Sequence, residues 1–422
     1  MPAIGNGIAV PFFKGGGGGA PAPNPDFISV WDTTKAGSAS DTVVLPLLSG
    51  GTYSGTIDWG DGNSDSLSYA NRQHTYASGG VYTITISGQI DGWKFDVFSL
   101  DEEKILEVQN WGNLTITSDN GFYSCGNLTI TATDSPTFTT TSIERLFYQC
   151  TSLTTPDLSK FDTSGVTIMK SVFRFCTNFN SDISMWDVSS VTSFRELFAD
   201  CTNFNQPLNS WNVSSANDMA AMFFQARNFN QPLDNWDVSS VTDMGAMFRS
   251  ASAFNQPLND WDVSSVTSMR EMFNMFGFTS TFNQPLNNWN VSSVITMNLM
   301  FHNCASFNGD IGNWNVSNVT NMERMLRLAS SFDQDISGWN IVNVANFTKF
   351  MEYAGLSTVN YDATLIGWES TLQAAYPSGV GYPHTINIHF GSSQYTAGGA
   401  ADAARTSLIS NFGWTITDGG SV

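Results

Sequence analysis

Among the residues of this 422-residue chain that could do chemistry, carboxylates and carboxamides dominate, and they recur in register. Asp162, Asp187, Asn212, Asp237, Asp262, Asn290, Asn315 and Asn340 each follow a Trp or Phe. On neighbouring strands they would form a column at ~4.8 Å spacing. Two carboxyls about 5 to 9.5 Å apart in a cleft would suit glycoside hydrolysis, and a cluster of oxygens would suit calcium. A flat column offers the distance without the enclosure, and its Asn members relieve the repulsion between stacked carboxylates. The nonapeptide calcium repeat is absent.

The other reactive side chains have simpler readings. Cys125, Cys150, Cys176 and Cys201 share the register, with Cys304 further on, but Ala226, Ala251 and Ala329 fill the same column. That column asks for a small buried residue, which free Cys can be, and no CxxC or Cys/His metal spacing occurs. The histidines are His74, His302, His384 and His389, and no GxSxG elbow or equivalent nucleophile accompanies them. His74 sits in a strand motif and reads as structural, His302 as an outward, solvated residue, and His384 and His389 lie in the strand-like run PHTINIHF. Asn205, Asn230, Asn255, Asn283 and Asn308 read as a corner ladder satisfying backbone groups. Met219, Met244, Met269, Met297 and Met322 read as core. No cofactor and no metal is expected.

The elements that position these columns follow from one period. Trp186, Trp211, Trp236, Trp261, Trp289, Trp314 and Trp339 succeed one another at 25 residues with a single step of 28, and Phe161 holds the preceding place. In FNQPLDNWDVSSVTDMGAMFRSASA, Leu233 to Val238 alternates as a short strand with Trp236 and Val238 inward and Asp237 outward. Val241, Met244, Met247, Phe248 and Ala251 recur as on one face of a short helix, capped by Ser239 or Ser240 and stopped by Pro257. Such a unit cannot bury its own face, so about eight coils must stack into a parallel-stranded solenoid. Three extra residues in NMFGFTSTFNQ predict a bulge at one corner.

The chain before the repeats is different. Residues 1 to 25 hold an apolar tip, Ile8 to Phe13, then five glycines and PAPNP, a flexible and then stiffer tether. Alternation of Tyr82, Ile84 and Ile86, with a tight turn at Asp61-Gly62-Asn63, predicts a small β-sandwich. DWGDG at 58 to 62 followed by HTYASGGVYTITISG at 74 to 88 resembles the polycystic-kidney-disease (PKD) domain, which implies an immunoglobulin-like sandwich. The repeat FNQPLxxWDVSSVTxMxxMF resembles BspA-like leucine-rich-repeat surface proteins, and NYDATLIGWES and AARTSLISNFGWTITDGG resemble their C-terminal cap. The expected fold is mainly β with short helices: an N-terminal immunoglobulin-like β-sandwich, then a leucine-rich-repeat-like, parallel-stranded solenoid. The expected divisions are tether 1–25, sandwich 26–100, cap coils 101–150, repeats 151–355 and C-terminal cap 356–422.

Charge narrows the partners. Lys and Arg number 17 against 37 acids, a net charge of −20 without any basic run, which argues against nucleic acid and anionic membranes. No stretch approaches the roughly 20 apolar residues of a membrane span. No catalytic constellation emerges, so the expectation is a non-enzymatic protein that engages a host surface protein or glycan. Its binding face would be Asp187, Ser189, Asn212, Ser214, Asp237, Ser239, Asp262, Ser264, Asn290, Asn315 and Asn340. Both resembled modules are of extracellular type, yet MPAIGNGIAVPFFKGGGGG has no basic n-region, long apolar stretch or small-residue cleavage site. A virion surface protein, such as a phage tail fibre, appendage or capsid decoration, reconciles the two, with residues 1 to 25 docking on other virion proteins. A BspA-like bacterial surface adhesin is the alternative, a polysaccharide-degrading enzyme the third reading, and homo-oligomerisation is left open.

Overall fold

The computed structural model describes residues 24–95 and 101–422, and the architecture is mainly β with few short helices. The apolar tip and all but the last two residues of the expected tether lie outside the described residues. Six strands precede residue 95: β1 (Phe27–Asp32), β2 (Thr42–Val44), β3 (Leu47–Asp58), β4 (Ser64–Ser66), β5 (Gln73–Thr75) and β6 (Val81–Trp93). Alternation builds them, with Phe27 and Trp31 of β1 and Ile84, Ile86 and Ile90 of β6 buried. β1 and β3 flank β6 antiparallel, β4 extends β3, and β2 pairs with β5 apart from them.

The two halves of the DWGDG and HTY motif meet in space. Tyr76 donates its hydroxyl to the Trp59 carbonyl at 3.0 Å, and His74 stacks on Trp59 with ring centroids 4.9 Å apart. His74 Nε2 lies 2.9 Å from Asp61 Oδ2. Burial works to raise the Asp61 carboxyl, but hydrogen bonds from His74 and Asn63 bring it down to about 2. Gly60 sits at φ +78°, and a Cβ there would stand 2.3 Å from the Thr83 carbonyl oxygen, so only glycine fits.

A fully buried ion pair closes this region. Lys104 Nζ lies 2.9 Å from Asp101 Oδ1 and donates to the carbonyls of Ala39 and Thr42, while Asp101 accepts from the amides of Ser38 and Val44. These partners satisfy the charges that burial strips of water, as such a pair requires. Beyond it, β7 (Ile105–Asn110) joins β1 antiparallel. β8 (Leu114–Ile116), β9 (Thr129–Ile130) and β10 (Thr137–Phe138) then add in parallel, on β6, β7 and β8. The sheet thereby changes from antiparallel to parallel, and Trp93 and Phe95 pack on Phe122 of the first coil at 6.0 and 6.2 Å.

From there each repeat lies on the next. Parallel bridges link Ser142, Ile168, Ser193, Asp218, Asp243, Ser268, Thr296, Asn321 and Asn346 in sequence. The inward assignment of Trp236 and Val238 and the outward one of Asp237 hold. The local elements differ from expectation. Leu233 to Trp236 form a turn, closed by Trp236 N–H donating to Leu233 O, and the stretch to Val238 carries no inter-coil backbone pairing. The segment expected as a helix carries the pairing instead: the N–H groups of Met244, Ala246, Phe248 and Ser250 donate to the carbonyls of Ser268, Arg270, Met272 and Asn274 at 2.7 to 3.2 Å.

Left-handed residues make that geometry possible. Ala246 has φ 55° and Ser250 φ 58°, and pairs four residues apart recur at Arg145 and Gln149, Ser171 and Phe175, Ala221 and Gln225, and Leu299 and Asn303. Each reversal breaks helical i to i−4 bonding and turns alternate N–H groups toward the next coil. Apolar residues three and four apart still share the inner face, which is why periodicity alone resembles a helix.

Two further sets of bonds lock the coils. Trp236 Nε1 donates to Leu208 O at 2.9 Å, Trp261 Nε1 to Leu233 O at 3.0 Å, and the other repeat tryptophans do likewise. Phe173, Phe198, Phe223, Phe248, Phe273 and Phe301 stack in a column at 5.6 to 5.9 Å. The corner asparagines form the expected ladder, Asn230 N–H donating to Asn205 Oδ1 and Asn255 N–H to Asn230 Oδ1, both at 2.9 Å. It ends on Asp333, which accepts from the N–H and hydroxyl of Ser357, the N-cap of α1 (Thr358–Ala375). In α1, Trp368 continues the tryptophan column, its Nε1 donating to Ile336 O at 2.9 Å. β11 (Asn387–His389), α2 (Ala400–Ser410) and β12 (Thr415–Thr417) complete the C-terminal end, β11 and β12 pairing in parallel.

Replacing Trp236 with Ala is expected to cost about 3 to 5 kcal/mol in urea unfolding followed by circular dichroism. Trp236→Phe, which imitates Phe161 and forfeits mainly the indole bond, should cost about 1 to 2 kcal/mol. Equal losses from both would mean that the indole bond, and not ring burial, carries the column.

Candidate binding face

The residues after each core aromatic face outward in every coil, because the aromatic before them and the Val, Ile or Thr after them are buried. Each is also held by its own turn. Asp187 Oδ1 accepts from the N–H and hydroxyl of Ser189 at 3.0 and 2.7 Å, and Asn212 with Ser214 and Asp237 with Ser239 repeat the arrangement. In Asp262, Asn290, Asn315 and Asn340, Oδ1 accepts the N–H two residues on. One oxygen of each member is thus held by its own turn, while the side chain as a whole is exposed.

These turns set the electrostatics. Hydrogen bonds from the hydroxyl and then the N–H of Ser189 hold the Asp187 carboxyl below its usual range, and Ser239 and Ser264 do the same to Asp237 and Asp262. Asp162 belongs to the same ionised set. The face is thus anionic toward its N-terminal end and neutral amide from Asn290 onward. A glycosidase would need one carboxyl raised to act as an acid, and these four are all shifted the other way.

The remaining reactive groups are dispersed. The cysteines are free and buried; Cys176 Sγ lies 2.8 Å from Phe147 O and Cys201 Sγ 2.8 Å from Phe173 O. Burial pushes the Cys304 thiol up to about 12, so it stays protonated. His389 Nδ1 accepts from the Gly391 N–H, and His384 packs edge-on against Tyr382. No group of three or more His, Cys, Asp or Glu able to hold a metal occurs among the described residues.

On the other side of the coils, along the left-handed segments, lies a charged network that sequence reading did not assemble. Arg195 bridges Asp218 and Asp243 at 2.9 and 3.0 Å, Arg249 and Arg270 both reach Glu271 at 2.5 Å, and Arg327 reaches Glu352 at 2.6 Å. His302 is half-buried within it, contrary to the solvated position expected. Its Nδ1 is 3.0 Å from Asn274 Oδ1, and its Nε2 is 3.0 Å from Arg327 Nη1. The only signal in the sequence was the recurrence of Arg, Glu and His beside the MxxMF apolar residues.

Burial first, then the charges of Arg327 and Arg324, lower His302 from 6.5 to about 4. The unfolded chain therefore binds this proton first, so the His302 contribution to stability is complete above about 6.5 and is lost as pH falls toward 4. Titration of the His302 imidazole followed by NMR should show a midpoint near 4. A midpoint near 6.5 would contradict the buried placement.

The profile of one family, described as "Mycoplasma protein of unknown function, DUF285", matches residues 140–261, 211–276 and 259–364. No curated protein and no solved structure matches the chain. The overlapping segments, consistent with BspA-like repeat proteins, cover the stacked coils and more than half of the sequence. The chain belongs to the DUF285 family.

Proposed function

We propose that this chain is a non-enzymatic attachment protein. In this reading an immunoglobulin-like, PKD-type sandwich carries a leucine-rich-repeat-like solenoid whose outward columns engage a host surface protein or glycan. The observation that carries it is the row of Asp and Asn side chains from Asp187 to Asn340, each oriented by its own turn and repeated once per coil. A rigid row of this kind suits many weak hydrogen bonds made in parallel, the usual mode of solenoid surfaces. Membership of a family of repeat proteins agrees with it.

The setting we propose is the virion surface, with residues 1 to 25 docking on other virion proteins. A bacterial cell-surface adhesin is the second reading, favoured by the family description, which names a Mycoplasma protein. Mass spectrometry of purified particles against host envelopes separates them: the chain is expected in particles, and recovery from envelopes alone would overturn the virion setting. The binding role is tested on the full chain with Asp187→Arg, Asp237→Arg and Asp262→Arg combined. Attachment to host cells should fall at least tenfold while circular dichroism stays unchanged, and undiminished attachment would remove the column from the binding face.

A further inference from the structure

The charged side of the coils holds a cleft of about 450 Å³ whose lining reverses the charge of the chain. Arg249, Arg270, Arg324, Arg327 and Lys349 line it, against a single lining carboxylate, Glu271, in a protein of net charge −20. Glu271 is only 6% exposed and already held by Arg249 and Arg270, so it contributes little negative potential to an incoming ligand. Arg327 and Lys349 share Glu352, and Arg324 leans on Glu323 at 3.4 Å. The cleft is therefore left with an excess of cations. Arg249 also keeps a buried Nε without a hydrogen-bond partner. A second hollow of about 270 Å³, floored by Ala220, Ala221, Gly245 and Ala246, adjoins it through Arg249, Arg270 and Glu271.

The insertion lies at this place. The three extra residues between Phe273 and Phe282 produce the expected bulge, turning at Gly277 (φ +78°). The loop is anchored where Phe278 packs under the Arg227 guanidinium, 4.2 Å from the ring centroid. Its other aromatic, Phe276, is left 69% exposed on the wall of the cleft. An exposed ring beside clustered guanidinium groups suits a ligand with a flat apolar face and an anionic substituent. A bare inorganic anion would leave the ring unused, and a neutral sugar would leave the cations unused.

We propose that this cleft binds a carboxylate-bearing sugar residue of a surface glycan, its carboxylate among Arg270, Arg324 and Lys349 and its ring face against Phe276. The proposal deepens the attachment reading and rests on it for the presence of such a glycan. It places a ligand subsite on the side of the coils opposite the Asp and Asn column.

Calorimetry on the full chain with glucuronic acid and N-acetylneuraminic acid as probes tests it, with glucose, sulfate and a hexaglutamate peptide as comparisons. At least one acidic sugar should bind tenfold more tightly than glucose or sulfate. Arg324→Gln with Lys349→Gln should weaken that binding at least tenfold, and Phe276→Ala at least threefold, with far-ultraviolet circular dichroism unchanged. Phe276 is largely exposed and the Arg324 and Lys349 side chains are close to half exposed, so the variants should fold. Failure of both acidic sugars to bind, indifference to Phe276→Ala, or tighter binding of hexaglutamate would overturn the proposal. Host attachment that persists in the Arg324 and Lys349 variant would leave the attachment reading standing and sink only the subsite. Sugar binding without any host attachment would do the reverse.

Discussion

The indole N–H of each repeat tryptophan donates to a carbonyl of the preceding repeat, and beside it a phenylalanine column runs through successive coils. No single repeat has a second layer of its own on which to bury these rings. Their burial exists only because the next coil supplies the covering face, so the repeats fold as neighbours or not at all. Everything outward follows from that requirement, because a fixed core fixes which residues must point to solvent. The ends meet it in their own ways: Phe122 accepts Trp93 and Phe95 at one end, and Trp368 of α1 closes the tryptophan column at the other.

The backbone that permits this stacking is costly in local conformation. Left-handed residues other than glycine are disfavoured by about 1 to 2 kcal/mol each, and the coils place them at Arg145, Ser171, Glu196, Ala221, Ala246 and their partners four residues on. The cost is offset collectively, because each reversal aims an N–H group at the neighbouring coil and completes the ladder. On the charged side the same reversals bring arginines, Glu271 and His302 from different coils together, which makes a cation-rich cleft within an acidic protein.

Much of this was legible in the sequence, for a physical reason. A period of 25 residues puts equivalent residues over one another, so the inward Trp236, the outward Asp237 and the Asn205 to Asn308 ladder follow from the period alone. The backbone could not. Val241, Met244, Met247 and Phe248 have helical spacing whether the chain is a helix or a row of turns, and nothing in Ala246 or Ser250 announces a positive φ. The Lys104 and Asp101 pair was hidden because its partners lie about sixty residues away in sequence. The charged cleft stayed hidden because its members come from different coils and only stacking assembles them. In the Asp and Asn column, position was readable, while the turns that commit each Oδ1 to the residue two ahead were not.

Each coil of 25 residues is a complete stacking unit whose core is shared with its neighbours. Deleting residues 230 to 254 removes one unit and joins equivalent backbone positions, whereas deleting residues 230 to 241 removes about half of one. Thermal unfolding of the two deletions by circular dichroism is the most direct measurement. A cooperative transition within a few degrees of the full chain is expected for the first, and loss of a cooperative transition for the second. Equal damage from both deletions would contradict this.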